Sequence, residues 1–132
     1  MSVSLPVTSV VALILSSLII YLALKVVSYR RKHRIGYGDA GNKELSKAMS
    51  AHSNAIENIP LALLLLLLLE LNKANEILLV ILGGLLVLAR VVQAFGLLKS
   101  LGVSFGRTYG TMLTWLLMIV MAVANAVMVF NY

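Results

Sequence analysis

Cysteine is absent from the 132 residues. That excludes disulfides, thiolate metal ligands and a cysteine nucleophile carried by the chain. Two histidines and five acids would supply a metal centre poorly, so no metal site is expected. Charge is scarce too: Asp, Glu, Lys and Arg make up 12% of the chain, about half the ~25% usual in soluble domains. Polar and apolar positions do not alternate, which argues against a β-barrel. No basic stretch precedes the first apolar run and no A-x-A site follows it, so that run reads as a retained anchor, not a cleaved signal. Linkers, low-complexity tails and internal repeats are missing as well.

Apolar surface is what the chain has in excess. Hydrophobic residues reach 61%, against roughly 45–50% in soluble domains, and the mean hydropathy is +0.98. A soluble core of this size could not hide so much, so lipid must be part of the solvent. Four apolar stretches, 5–27, 45–69, 77–98 and 109–130, each come close to the ~20 residues that cross a bilayer. Helices satisfy their own backbone in lipid. The expected fold is therefore all-α, a single integral-membrane four-helix bundle over residues 1–132.

The loops are uneven. Residues 28–44 form the long one, punctuated by Gly36, Gly38 and Gly41, and loops two (72–76) and three (99–106) are short. Loop one and its flanks carry Lys25, Arg30, Arg31, Lys32, Arg34, Lys43 and Lys47; loop three carries Lys99 and Arg107; loop two has Lys73 alone. Positive charge stays inside, so loops one and three are expected in the cytoplasm, and loop two and both termini outside. Topology and contact with anionic membrane lipid account for the basic cluster, and nucleic-acid binding is not expected. Tyr21 and Tyr132 read as interface aromatics.

Polar residues within the spans are the functional candidates. On the second helix Ser50, Asn54, Glu57 and Asn58 fall on one ~100° stripe, just before Pro60, which cannot donate a backbone hydrogen bond. The asparagines suit interhelical hydrogen bonds. A carboxylate at this depth needs a cation or a proton; Arg90 of the third helix, with Gln93 on the same face, is at roughly matching depth, so a Glu57–Arg90 pair is one reading and a ligand role is another. On the fourth helix Arg107, Thr111, Thr114, Met118 and Asn125 share a face. Arg107 reads either as an interfacial anchor or as part of a site. Trp115 lies too deep for an interfacial belt and suits packing or a pocket wall. Gly110 allows close helix packing.

The stretch A51-H-S-N-A-I-E-N-I-P60 resembles the second-helix signature of the membrane-associated proteins in eicosanoid and glutathione metabolism, the MAPEG family, matching it at Asn54, Glu57 and Pro60. G38-D-A-G, A89-R-x-x-Q-x-x-G96 and G106-R-T-Y-G-T resemble its bacterial members, and the similarity covers essentially the whole chain. The resemblance implies a homotrimer with glutathione between protomers near the cytoplasmic face. It implies that Asn54 and Glu57 bind glutathione, that Arg107 stabilises the glutathione thiolate, and that Arg90, Gln93 and Asp39 help hold the tripeptide. Ser50 stands where eicosanoid-making members have an arginine, and Gln93 and Leu97 where relatives place tyrosine or histidine.

The activity so implied is glutathione conjugation, or glutathione-dependent reduction, of a hydrophobic electrophile arriving through the bilayer. Lack of cysteine agrees with a cofactor that supplies the sulfur. Arg90, Arg30, Arg31 or Arg34 suit the carboxylates of glutathione, Glu57 suits its ammonium, and Thr111 or Ser104 suit the thiol. Two other classes compete. One is a non-catalytic lipid-binding or scaffold protein of the same fold. The other is a small multidrug exporter, which would carry an acid in the first helix; none is present there.

Overall fold

In the computed structural model, which describes residues 2–131, the chain forms four α-helices: α1 Pro6–His33, α2 Lys43–Leu71, α3 Glu76–Lys99 and α4 Phe105–Phe130. All four are long and apolar enough to cross a membrane. The fold is thus an all-helical membrane four-helix bundle. Tyr132, read above as an interface aromatic, lies outside the described residues.

α2 and α3 form the central pair. α1 packs against both on one side and α4 against both on the other, while α1 and α4 do not pack against each other. The buried stripe of α2 runs Leu45, Ala48, Ala51, Ala55, Ile59, Ala62, Leu66, Leu69. Its spacing of three and four keeps one seam toward the neighbours. Small alanines at Ala48, Ala51 and Ala55 occupy the loop-one half of the stripe, and Ile59, Leu66 and Leu69 the other half. Leu15, Leu22, Leu86 and Met121 complete the fully buried core.

The helices run past the apolar stretches, most of all around loop one. α1 continues six residues beyond Val27, and the connection shrinks from the expected 28–44 to residues 34–42. Hydropathy marks where the hydrocarbon ends, not where hydrogen bonding ends; Ser28 to His33 carry no helix breaker, so the helix continues into the headgroups. What stops it is Arg34, in the left-handed conformation at φ 53° with its N–H bonded to the Arg30 carbonyl. What restarts the chain is Asn42, whose Oδ1 accepts from the Leu45 N–H at 2.9 Å. Asn75 and Ser104 cap α3 and α4 in the same manner.

α1 lacks such a cap at Leu5. Glu70, at the far end of α2, supplies one. Its two carboxylate oxygens accept from the Val7 and Thr8 N–H groups at 3.0 and 2.7 Å, placing negative charge at the positive end of the helix.

α3 and α4 meet through glycines. A Cβ on Gly96 would stand 2.5 Å from the Arg107 backbone nitrogen, one on Gly106 2.7 Å from the Val92 carbonyl, and one on Gly110 2.6 Å from the Gln93 Cβ. Close packing was expected of Gly110; Gly96 and Gly106 extend the contact by a full turn. Their effect is to set Gln93 and Arg107 on adjoining backbones.

Candidate functional site: a polar cleft at the loop-one end

A cleft of about 450 Å³ opens between α2 and α4, with α3 as its floor. α2 contributes Ser50, Ser53, Asn54 and Glu57; α3 contributes Gln93 and Leu97; α4 contributes Arg107, Thr111 and Trp115. Each set repeats at three or four residues, so each helix presents one face. The cleft occupies the end of the bundle near loops one and three, beginning one turn into α4 and two turns into α2. It therefore reaches from the headgroup layer into the hydrocarbon.

Of the residues expected at a site, Asn54, Glu57, Gln93 and Arg107 converge on this cleft. Arg90 stands behind it, 1% exposed. Its Nη2 donates to Asn54 Oδ1 at 2.8 Å and its Nη1 to Thr114 Oγ1 at 3.4 Å; Thr114 in turn donates to the Gly110 carbonyl. This corrects the Glu57–Arg90 pair. Among the described residues the ion pair is Lys32–Glu44 at 3.9 Å, with His33 Nε2 3.5 Å from the same carboxylate. Arg90 lies level with Asn54, one turn before Glu57, and Glu57 turns to the exposed side of α2. Arg90 is thus a buried cation with neutral partners, and a cleft ligand would feel its charge through Asn54 without touching it.

The same bonds orient Asn54. Its Oδ1 accepts from Arg90, which can only donate, and from Asn58 Nδ2 at 3.3 Å. Its Nδ2 is therefore the atom left to donate to a ligand. Asn58 also receives the Trp115 indole N–H on its Oδ1 at 3.3 Å. This ties α2 to α4 and makes Trp115, 57% exposed, the membrane-side wall of the cleft. Gln93 Nε2 donates to Thr111 Oγ1, and Thr111 donates to the Arg107 carbonyl. The Arg107 guanidinium is steadied by its Nη1 bond to the Leu101 carbonyl at 3.0 Å; among the described residues this is its only side-chain hydrogen bond.

The loop-one residues do not reach the cleft of their own chain. Arg30 donates to the Ile35 and Gly38 carbonyls at 3.3 and 2.9 Å and so holds the loop shut. Asp39 Oδ1 accepts from the Gly41 N–H at 3.0 Å, an ordinary Asx turn. Arg34 is the exposed cap of α1. Ser104 is spent on capping α4. Ser53 lines the cleft without having been singled out; its place three residues after Ser50 on the polar stripe was the available signal. No group of three or more His, Cys, Asp and Glu capable of holding a metal is present among the described residues.

A protein-family model described as the MAPEG family matches residues 8–127. The chain is also similar to the inner membrane protein YecN of Escherichia coli K12. Identity is 33% over 119 residues, covering 90% of this chain and 89% of the relative. YecN of Escherichia coli O6:H1 matches to the same extent.

Proposed function

The chain belongs to the MAPEG family, and from that premise we propose that it is an inner-membrane, glutathione-dependent transferase acting on hydrophobic electrophiles. One observation carries the reading. A carboxylate (Glu57), a guanidinium (Arg107) and an oriented amide donor (Asn54) surround one cleft at the lipid boundary, in a chain without cysteine.

The donor set suits glutathione. Glu57 faces its ammonium, Asn54 Nδ2 and the hydroxyls of Ser50 and Ser53 face its carbonyl and carboxylate oxygens, and Arg107 faces its sulfur. The cleft volume lies within the ~300–1,000 Å³ common for small-molecule sites. Bound there, glutathione supplies a thiol of ordinary pKa ~8.5, whose thiolate is the nucleophile. The Arg107 guanidinium, aided by the buried charge of Arg90, favours the anion. Trp115 and Leu97 give the deep half of the cleft an apolar wall for an acceptor arriving from the bilayer. Reduction of a hydroperoxide at the same place would consume two glutathione molecules and release the alcohol, water and glutathione disulfide.

Glu57 also argues for a homotrimer. An exposed carboxylate about three turns inside the apolar span 45–69 is costly against lipid, and a neighbouring copy would cover it. Loop one of that neighbour is the source of the remaining cations, Arg30 or Arg34, for a glutathione carboxylate, and Asp39 lies in the same loop. By the lysine and arginine balance the cleft end faces the cytoplasm.

The apolar wall formed by Leu97 and Trp115 equally favours a second reading, lipid binding without catalysis. The two separate on the ultraviolet difference band of a thiolate as glutathione is added to the detergent-solubilised protein. The transferase reading expects a band that saturates in the wild type and disappears in Arg107→Ala. A folded protein with neither the band nor saturable glutathione binding would leave the lipid-binding reading.

A further inference from the structure

On the outer face of α1, away from the cleft, Lys25 sits between two tyrosines. Its Nζ lies 5.7 Å from the ring centroid of Tyr21 and 5.9 Å from that of Tyr29, both within cation–π reach. Tyr21, Lys25 and Tyr29 follow at four-residue steps and so share one face. Together with Leu24 and Ser28 they line a notch of about 270 Å³. No residue of this notch lines the cleft. α1 contains no acid at all, and among the described residues no carboxylate pairs with Lys25.

The depth of the notch is set by the sequence. The apolar run Pro6 to Leu24 is 19 residues, about 28 Å at 1.5 Å per residue, close to the ~30 Å of a hydrocarbon core. Lys25, the first charge after that run, therefore lies within a turn of the boundary, and Ser28 and Tyr29, about 5 Å further on, lie on its headgroup side. The flanking rings fix the ammonium on the helix face instead of letting it extend freely into water. The Lys25 ammonium and the side chains of Ser28, Tyr29 and Tyr21, all able to donate, line one small volume, and among the described residues no carboxylate neutralises Lys25.

We propose that this notch binds the phosphate of an anionic phospholipid headgroup. The chemistry is a phosphodiester oxygen against one ammonium and flanking hydroxyls. A choline headgroup would bring a second cation against Lys25, whereas a glycerol headgroup adds only hydroxyls, so the site prefers phosphatidylglycerol to phosphatidylcholine. The inference is independent of the glutathione reading.

The test is native mass spectrometry of the detergent-solubilised protein. Phosphatidylglycerol and phosphatidylcholine of identical chains compete, and wild type is compared with Lys25→Met, with the double variant Tyr21→Phe/Tyr29→Phe, and with Arg31→Gln. Arg31 is an exposed cation outside the notch. The proposal expects the preference for phosphatidylglycerol to fall about fivefold in Lys25→Met, the scale of one basic residue at a charged surface. It expects a smaller fall in the tyrosine variant and none in Arg31→Gln. Melting in phosphatidylcholine alone reports that each variant is folded, and the tyrosine variant carries the test if Lys25→Met is not. An unchanged preference in Lys25→Met would overturn the proposal. So would equal losses in Lys25→Met and Arg31→Gln, which would mean a diffuse charge effect. Displacement of the lipid by millimolar inorganic phosphate would overturn it too, since the site would then serve a soluble anion.

Discussion

Two of the three carboxylates on helix α2, Glu57 and Glu70, stand thirteen residues apart and are handled in opposite ways. Glu70 has both oxygens engaged by the first N–H groups of α1. Glu57 has no ion-pair partner among the described residues and faces an open cleft. The first is part of the scaffold: it closes a helix end that Leu5 cannot cap. The second costs free energy in the isolated chain and is repaid only by something that arrives, either a ligand ammonium or a neighbouring copy. A charged group in a membrane span is thus read from its partners, not from its depth.

The two ends of the molecule can be pulled apart experimentally. Arg107→Ala acts only at the cleft, and its effect should be the largest. Turnover with glutathione and a hydrophobic electrophile should drop about 10²–10³-fold, the scale of losing one preorganised donor to a developing anion. Glutathione affinity should stay within a few-fold, as steady-state kinetics alongside titration would reveal. Retained turnover would remove Arg107 from the chemistry.

Next in size is Gly110→Leu. Its side chain has no room against Gln93, and overpacking of this kind costs about 1–3 kcal/mol. A lower melting temperature in detergent should accompany loss of glutathione binding, because α4 carries Arg107 and Thr111 away from Gln93. A stable variant with intact binding would show that the glycine contact does not position the cleft.

Glu70→Gln should destabilise by about 1–2 kcal/mol, since one charge-assisted bond to the α1 N-terminus is lost. Glu57→Gln should cost no stability and should raise it, since it removes an unpaired carboxylate from the span. Thermal melts of the two variants side by side would sharpen the contrast, and equal melting losses would erase it. Trp115→Phe keeps the apolar wall but gives up the bond to Asn58; about 0.5–1.5 kcal/mol of stability is at stake, readable in the same melts.

Much of this was legible in the sequence. Four spans of near-bilayer length and one polar stripe on α2 are patterns that local chemistry sets. The convergence of Asn54, Glu57, Gln93 and Arg107 follows from helical spacing once α2, α3 and α4 are neighbours. Helix ends were not legible, because Ser28 to His33 are polar yet helical. Arg90 was paired with Glu57 on depth counted from loop two, but a shift of one turn hands it to Asn54, and residue counting does not resolve one turn. Glu70 gave no signal, since its role depends on where α1 begins in space. Arg30, Arg34 and Asp39 looked like ligand residues by charge; within their own chain the turn engages Arg30 and Asp39, while Arg34 ends α1 through its backbone and keeps its side chain exposed.

The most direct measurement is isothermal titration of glutathione into the solubilised wild type, Glu57→Gln and Glu70→Gln, the last at a temperature where it is folded. The account predicts saturable binding in the wild type, about tenfold or more weaker in Glu57→Gln, as expected for a charged hydrogen bond, and unchanged in Glu70→Gln. No saturable binding at millimolar glutathione, or equal weakening in both variants, would contradict it.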